Sequence, residues 1–228
     1  MDMTSIIASI PLFRGLSSKQ CAAISAIAVR KYYSRGQIFF SEGDESFGFY
    51  VILSGKVKIF KLSSEGKEQI FHILEAYEPF GEAAVFAGEH YPASAQALSE
   101  TPVLFFPTQQ FVDLIMREPS LALSMLALLS MRLRKLTMLI ENLSLKEVPG
   151  RLAAYLLYQS NSHGSPLTIE LDVSKNQMAG LLGTIPETLS RILKRMTDEK
   201  LIKADARTIS ILDKKGLTEL AEGNRRLA

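Results

Sequence analysis

The sequence of 228 residues is poor in the residue types that bind clusters and cross-link chains. It has one cysteine, Cys21, and no tryptophan. One thiol forms no internal disulfide and cannot supply the four ligands of an iron–sulfur cluster or a cysteine zinc site. An iron–sulfur cluster is therefore excluded, and we expect Cys21 to pack on the first helix.

The chain also lacks a long apolar run and a strong charge of one sign. Serines interrupt the most apolar stretch, 119–131, so nothing matches the roughly 20 apolar residues of a membrane span. No basic segment followed by an apolar core opens the chain. With 47% hydrophobic and 22% charged residues, the composition is that of a folded globular protein. We predict a cytoplasmic protein without membrane contact.

The net charge of +2 is unevenly divided along the chain. Residues 1–143 carry 13 basic and 14 acidic side chains, a net charge of −1, whereas residues 144–228 carry 13 and 10, a net charge of +3. A mildly basic C-terminal third is a modest indication of nucleic-acid binding.

Residues 32–107 have the pattern of short antiparallel strands. Residues 56–61 alternate polar and apolar side chains except at the adjacent pair Ile59-Phe60, and turn signals stand at 42–44 and 63–66. Such spacing is typical of an antiparallel barrel or a jelly roll. Before it, Ser17 or Ser18 is suited to cap a helix that reaches Val29. Residues 1–118 are predicted to form this barrel domain.

From Pro119 to Leu143 the period becomes helical. Apolar residues recur at alternating steps of three and four, which is the seam of a two-helix coiled coil. The seam consists of Leu126, Leu129, Leu133, Leu136, Ile140 and Leu143. We predict a dimerisation helix and hinge over 119–145. The hinge itself is predicted at residues 143–150, because Pro149 disfavours helix at Val148. The alternative is that the stripe packs on its own domain.

Residues 146–228 have the pattern of a winged helix-turn-helix. Ser174 and Gln177 fit a capping box, Gly183 breaks the helix that follows, and Pro186 suits the first turn of the next one. Two strand-like segments, 201–203 and 208–212, follow as a wing. The fold class is therefore α+β: an N-terminal antiparallel β-barrel, a long helix and a C-terminal winged helix-turn-helix.

The second helix of this pair carries the residues best suited to read DNA. Glu187, Ser190 and Arg191 stand at i, i+3 and i+4 and so share one face. Arginine can bind guanine O6 and N7, and glutamate can accept from cytosine N4. The alternative is an ordinary i,i+4 surface ion pair. The further predicted DNA contacts are Thr188, Lys194 and Lys175.

The chain as a whole resembles the Crp/Fnr-type transcription regulators. The matching segments are 10–16, Glu42-Gly43-Asp44 with 49–59, Phe80-Gly81-Glu82, and the Glu-x-x-Ser-Arg motif at 187–191. The resemblance implies a homodimer that binds double-stranded DNA at TTGA and TCAA half-sites, responds to a small-molecule effector and has RNA polymerase as a candidate partner.

The resemblance also bears on the effector. In cyclic-nucleotide members a Gly-Glu pair holds the ribose and a later arginine holds the phosphate. Gly81 and Glu82 are present, but no arginine lies between Gly81 and Arg117. A cyclic-nucleotide-responsive regulator is therefore the alternative reading. The candidate pocket residues are Gly81, Glu82, Phe71, Tyr91, Ser94 and Ala95.

Segments 58–74 and 91–98 are similar to the nitrogen-oxide-responsive Dnr-type and hybrid-cluster-protein regulators, some of which bind haem. That similarity implies control by nitrosative stress, with haem as a candidate cofactor. His72 and His90 are the candidate iron ligands; the alternative is that both are ordinary strand or loop histidines. Ligation by Tyr, Met or Cys also stays open.

Two other classes of protein explain less of the sequence. An enzyme is not expected, because the chain has no phosphate-binding glycine loop, nucleophile elbow or metal-ligand cluster. A cyclic-nucleotide module without DNA binding would leave Glu187, Ser190 and Arg191 on one face unexplained.

Overall fold

A computed structural model describes residues 2–88, 90–162, 167–171, 173–205 and 208–227. The helices are α1 Met3–Ser9, α2 Ser18–Ile27, α3 Glu82–Ala87, α4 Thr108–Arg117, α5 Ser120–Leu145, α6 Val148–Ser162, α7 Lys175–Leu181, α8 Pro186–Asp198 and α9 Lys214–Ala221, with a 3₁₀ turn at Pro11–Phe13. The strands are β1 Val29–Tyr33, β2 Ile38–Phe40, β3 Gly48–Ile52, β4 Val57–Leu62, β5 Glu68–Leu74, β6 Pro79–Phe80, β7 Ser94–Ala97, β8 Thr101–Pro107, β9 Thr168–Glu170, β10 Ile202–Asp205 and β11 Thr208–Ile211.

The chain divides into two compact units. The first comprises Met1–Leu62 and Phe71–Lys135, and the second comprises Ser63–Ile70 and Leu136–Ala228. The tip of the β4–β5 hairpin and the second half of α5 therefore group with the C-terminal elements. The predicted boundaries at 118 and 145 stay a prediction.

The first unit is a barrel of two antiparallel sheets. The strand orders are β1-β8-β3-β6 and β2-β7-β4-β5. Alternation along β3 sends Tyr50 and Ile52 into the barrel, whereas Phe49 and Val51 pack outside with α1, α2 and α4. The barrel interior is filled by aromatic rings, among them Tyr50 stacked on Phe80 with 5.1 Å between centroids.

The second unit is a winged helix-turn-helix. Its sheet has the order β10-β11-β9, and Ile202 pairs with Ile211 at one end of the β10–β11 wing. The predicted two-stranded wing thus gains a third strand, β9. The predicted capping box at the start of α7 is present: the Ser174 hydroxyl accepts from the Gln177 N–H, and the Gln177 amide oxygen accepts from the Ser174 N–H.

The predicted start of the first strand was wrong, and so was the expectation that Pro149 keeps Val148 out of a helix. The first strand starts at Val29, not near Tyr32, because residues 29–33 pair in register with 101–105 of β8. Pro149 lies inside the first turn of α6, where its missing N–H leaves no hydrogen bond unmade. The break between α5 and α6 is therefore Lys146–Glu147. There Arg151 Nη1 donates to the carbonyls of Leu143, at 3.3 Å, and Lys146, at 2.9 Å.

No single helix in the described part of the chain is long and apolar enough to cross a membrane, although α4 and α5, bent by 117° at their junction, pass that test as a pair.

Candidate DNA-binding surface and sensor pocket

Helix α8 is strongly two-sided. Leu189, Ile192, Leu193 and Met196 are buried in the core of the second unit. Glu187, Ser190, Arg191 and Lys194 are exposed, and Thr188 is half-buried. The structure thus places the predicted base-reading residues together on the solvent side of this helix.

Glu187 and Arg191 do not neutralise each other. No ion pair or hydrogen bond joins them within the part of the chain that the structure describes. The predicted alternative, an i,i+4 surface pair, is therefore not formed, and the carboxylate and guanidinium both stay available to an outside partner.

A groove of about 310 Å³ runs between α8, the start of α7 and the wing strands. Lys175, Ser190 and Lys194 line it together with Ala204 and Thr208. It brings two of the further predicted DNA contacts, Lys175 and Lys194, beside a predicted base-reading residue, Ser190. The wing tip, residues 206–207, lies outside the described residues.

The turn between α7 and α8 is tightly packed. Gly183 has φ +63, and a Cβ there would meet Leu143 Cδ2 at 2.8 Å and Gln69 Oε1 at 2.9 Å. Gln69 Nε2 donates to the Gly180 carbonyl at 3.0 Å. Leu143, predicted as the last residue of the dimer seam, thus packs beside this turn in the second unit.

Glu82, one of the predicted pocket residues, is buried and paired. Gly81, with φ +83, lies between β6 and α3, and Glu82 is the first residue of α3. Glu82 is 2% exposed. Its Oε1 accepts from Arg132 Nη1, and Arg132 Nη2 donates to the Pro79 carbonyl. Glu82 Oε2 has no hydrogen-bond partner among the described residues.

Arg132 is a residue of the candidate site that sequence reasoning missed. A signal for it exists. Leu121 and Met125 are buried, and Leu128 packs against the same core. These residues are four and three positions apart, and the next step of four along the same helix face reaches position 132. An arginine where that stripe continues needs a partner inside the domain.

The remaining pocket candidates serve mainly to build the barrel. Tyr91 stacks on Phe40 with 3.7 Å between ring centroids, and its hydroxyl donates to the Gly48 carbonyl at 2.5 Å. Burial raises the pKa of Tyr91. The Ser94 hydroxyl accepts from the Glu42 N–H at 2.9 Å. Ala95 is buried in the interior, and Phe71 is half-buried on β5.

The two candidate iron ligands lie in different surroundings. His72 is half-buried on β5, and its burial, followed by the nearby charges of Arg132 and Lys135, lowers its pKa to about 4. Its imidazole is therefore neutral at physiological pH. His90 is exposed and forms a β-bridge with Glu45. No cluster of three or more potential metal ligands occurs among the described residues.

The predicted seam of α5 is only partly covered in the single chain. Leu126, Leu133 and Ile140 are 59%, 67% and 63% exposed. Leu129, Leu136 and Leu143 are half-buried. An apolar row of this exposure at seven-residue spacing is what a partner helix would cover.

Two protein-family models match the chain. The cyclic nucleotide-binding domain matches residues 30–118, and the Crp-like helix-turn-helix domain matches residues 150–220. The chain belongs to the Crp/Fnr family. As a Crp/Fnr regulator it is a DNA-binding transcription factor with a cyclic-nucleotide-binding-like sensor domain, and not an enzyme.

Relatives within the Crp/Fnr family match most of the chain. The cyclic AMP receptor protein of Thermus thermophilus is 30% identical over 93% of this chain and 97% of its own length. The fumarate and nitrate reduction regulatory protein of Escherichia coli is 31% identical over 87% of this chain and 81% of its own. A CooA mutant from Carboxydothermus hydrogenoformans has a TM-score of 0.76 at 23% identity, covering 97% of this chain and 96% of that one, and shows the fold.

Proposed function

We propose that this Crp/Fnr regulator is a homodimer whose paired α8 helices read TTGA and TCAA half-sites and whose sensor domain responds to a small effector. The observation that carries the proposal is the exposed set Glu187, Ser190 and Arg191 on the face of α8 opposite its buried stripe. The half-site sequence rests on the Glu-x-x-Ser-Arg resemblance. The direct test is titration of the protein with a duplex that carries both half-sites.

Each side chain of this face has a distinct chemical role in the proposal. Arg191 donates to guanine O6 and N7, and Glu187 accepts from cytosine N4. Ser190 contacts an adjacent base or phosphate. Thr188, Lys194 and Lys175 bind phosphates, which fixes the register on the duplex without reading its sequence.

The two half-sites require two copies of α8 about one DNA turn, or ~34 Å, apart. The exposed row Leu126, Leu133 and Ile140 supports pairing of α5 with its twin as the way to achieve this. An effector in the sensor domain would then shift the α5 pair and with it the spacing of the α8 helices. RNA polymerase is proposed as a further partner on DNA, in the cytoplasm.

Lys194→Ala is expected to weaken binding to every duplex by a similar factor. Lys194 is exposed on α8 and lines the groove with Ser190. Because each phosphate contact releases counterions, the slope of log K against log[salt] should become shallower by about one unit per subunit, or about two per dimer. The measurement is fluorescence anisotropy on a TTGA/TCAA duplex and a shuffled one at several salt concentrations. An unchanged slope, or a loss on the TTGA/TCAA duplex alone, would contradict the assignment.

For the effector we propose a haem that carries nitric oxide, with His72 as the iron ligand. The support is the neutral imidazole of His72 with the Lys135 ammonium nearby, a cation that suits a propionate of a haem. The haem iron would supply the site for the gas, and the chain would hold it through His72.

The haem proposal predicts an absorption change. Titration with haem should give a Soret band that saturates at one haem per subunit and shifts on adding nitric oxide. His72→Ala should abolish saturable binding, whereas the matched His90→Ala should bind as the natural protein does. A spectrum that is the same for free haem and haem plus protein would contradict it.

A cyclic nucleotide is the second candidate effector. The relatives in Thermus thermophilus and Mycobacterium tuberculosis, described as a cyclic AMP receptor protein and a cAMP-activated global regulator, favour it. Calorimetry with cyclic AMP in the absence of haem separates the two candidates.

A further inference from the structure

The first unit has a second cavity, of about 240 Å³, apart from the pocket candidates named from the sequence. It lies between the second half of α3, the loop before β3 and the first residue of α4. None of the six pocket candidates lines it. At about 30 Å³ per water molecule, the cavity has room for about eight waters or for one small solute.

Two buried hydroxyl groups at this cavity lack a hydrogen-bond partner in the described part of the chain. They are Ser46 Oγ and Thr108 Oγ1. Ser46 lies close to the Tyr91 hydroxyl, but that hydroxyl donates to the Gly48 carbonyl at 2.5 Å. The main chain of Thr108 is satisfied, since its N–H donates to the Phe47 carbonyl at 3.0 Å. Because buried polar groups are nearly always hydrogen-bonded, the two hydroxyls indicate a partner from outside the chain.

The charges around the cavity favour a neutral partner. Glu45 and His90 line it, are exposed, and face each other across an isolated antiparallel bridge. No lysine or arginine is among the described lining residues, so an anion would meet the Glu45 carboxylate without a permanent cation to balance it. A metal ion would find no cluster of three strong ligands among the described residues.

We propose that this cavity is a second ligand site of the sensor domain, which binds a small neutral molecule with several hydroxyl groups, a sugar or a cyclic polyol. A ligand hydroxyl both donates and accepts, as the hydroxyls of Ser46 and Thr108 require. The Glu45 carboxylate can accept from two neighbouring hydroxyls of such a ligand. The inference goes beyond the proposed function, and it depends neither on DNA nor on a haem at His72.

Two exposed aromatic rings favour a cyclic ligand over an open-chain one. Phe47 is 67% exposed and follows Ser46 in the chain, and Phe86 is 40% exposed and follows Val85 of the lining. The C–H face of a sugar ring can pack on an aromatic ring, whereas glycerol has no such face. A ring compound should therefore bind more tightly than glycerol.

Saturation-transfer NMR of the natural protein tests the site without DNA or haem. The probes are D-ribose, D-glucose, myo-inositol and glycerol, each at millimolar concentration, where general stabilisation by excluded polyols is small. We expect saturable transfer to at least one ring compound, weaker transfer to glycerol, and no competition by inorganic phosphate. Saturable transfer to none of the four probes would overturn the proposal. Competition by phosphate would also overturn it, because it would assign the cavity to an anion.

Thr108→Val tests the orphaned hydroxyl, because it exchanges that group for a methyl of the same shape. The dissociation constant of the bound probe should rise about tenfold, while the thermal midpoint without probe should not fall, since no hydrogen bond is lost. Thr101→Val is the matched control. Thr101 is buried and its hydroxyl donates to the Ser99 carbonyl at 2.9 Å, so this variant should lose stability and keep the affinity.

A second variant keeps the test independent of folding. Glu45→Gln changes an exposed side chain, so the fold should be retained, and the dissociation constant should rise several-fold because a charged acceptor is lost. Unchanged affinity in Thr108→Val, or in Glu45→Gln if Thr108→Val does not fold, would overturn the proposal. So would a thermal midpoint of Thr108→Val lowered as much as that of Thr101→Val, because the Thr108 hydroxyl would then already have a partner within the protein.

Discussion

Arg191→Ala is expected to lower the affinity for a TTGA/TCAA duplex by about 30-fold or more. A bidentate arginine–guanine contact contributes about 1–3 kcal/mol of base discrimination, and a symmetric dimer makes two of them. The sum of about 2–6 kcal/mol corresponds to roughly 30-fold to 10⁴-fold in the dissociation constant. The fold should be unaffected because Arg191 is exposed on α8 and its side chain forms no hydrogen bond or ion pair with a described residue.

The measurement is fluorescence anisotropy with two duplexes. The first carries the TTGA and TCAA half-sites, and the second is identical except that both half-sites are changed to TTAA. The natural protein should prefer the guanine-containing duplex, and Arg191→Ala should bind the two nearly equally. Arg226→Ala is the control, since it removes the same charge from another exposed position in the second unit. An Arg191→Ala protein that still prefers TTGA would show that another residue reads this base.

Leu133→Glu is expected to raise the dimer dissociation constant by about 10²-fold to 10⁴-fold. Burying one leucine contributes about 1.5–3 kcal/mol, and the substitution removes two leucine side chains from a symmetric dimer interface. It also places two negative charges close together. Leu133 is 67% exposed in the single chain, so the monomer should stay folded. Loss of the dimer should remove high-affinity binding to the paired half-sites while leaving weak binding to single ones.

Sedimentation equilibrium, with circular dichroism to confirm folding, measures this effect. Arg134→Glu is the control, because it introduces the same acidic side chain one residue away, off the seam, with a charge change of two units against one for Leu133→Glu. If Leu133→Glu sediments like the natural protein, α5 does not pair through this row, and the alternative that the stripe packs on its own domain gains support.

Much of the fold was predictable because its signals are local. The N-cap at Ser17 and the capping box at Ser174 join groups only three residues apart. The bounds of α8 follow from Pro186 at its first turn and from its buried stripe. For the same reason the exposed face carrying Glu187 and Arg191 could be identified from spacing alone.

What could not be predicted depends on pairing between distant segments. β1 begins at Val29 because β8, more than 70 residues later, supplies its hydrogen bonds. Arg132 and Glu82 are 50 residues apart, and no local pattern shows that α5 passes that side of the barrel. The absence of an arginine in the loop after Gly81 therefore could not exclude a guanidinium that α5 supplies.

The affinity of the natural protein for a TTGA/TCAA duplex, compared with a shuffled duplex of the same composition at physiological salt, tests the central claim most directly. The account predicts tighter binding to the first by about 10³-fold or more, as for a specific protein–DNA complex. Equal affinity for the two duplexes, with a dimer present and each proposed effector added in turn, would contradict it.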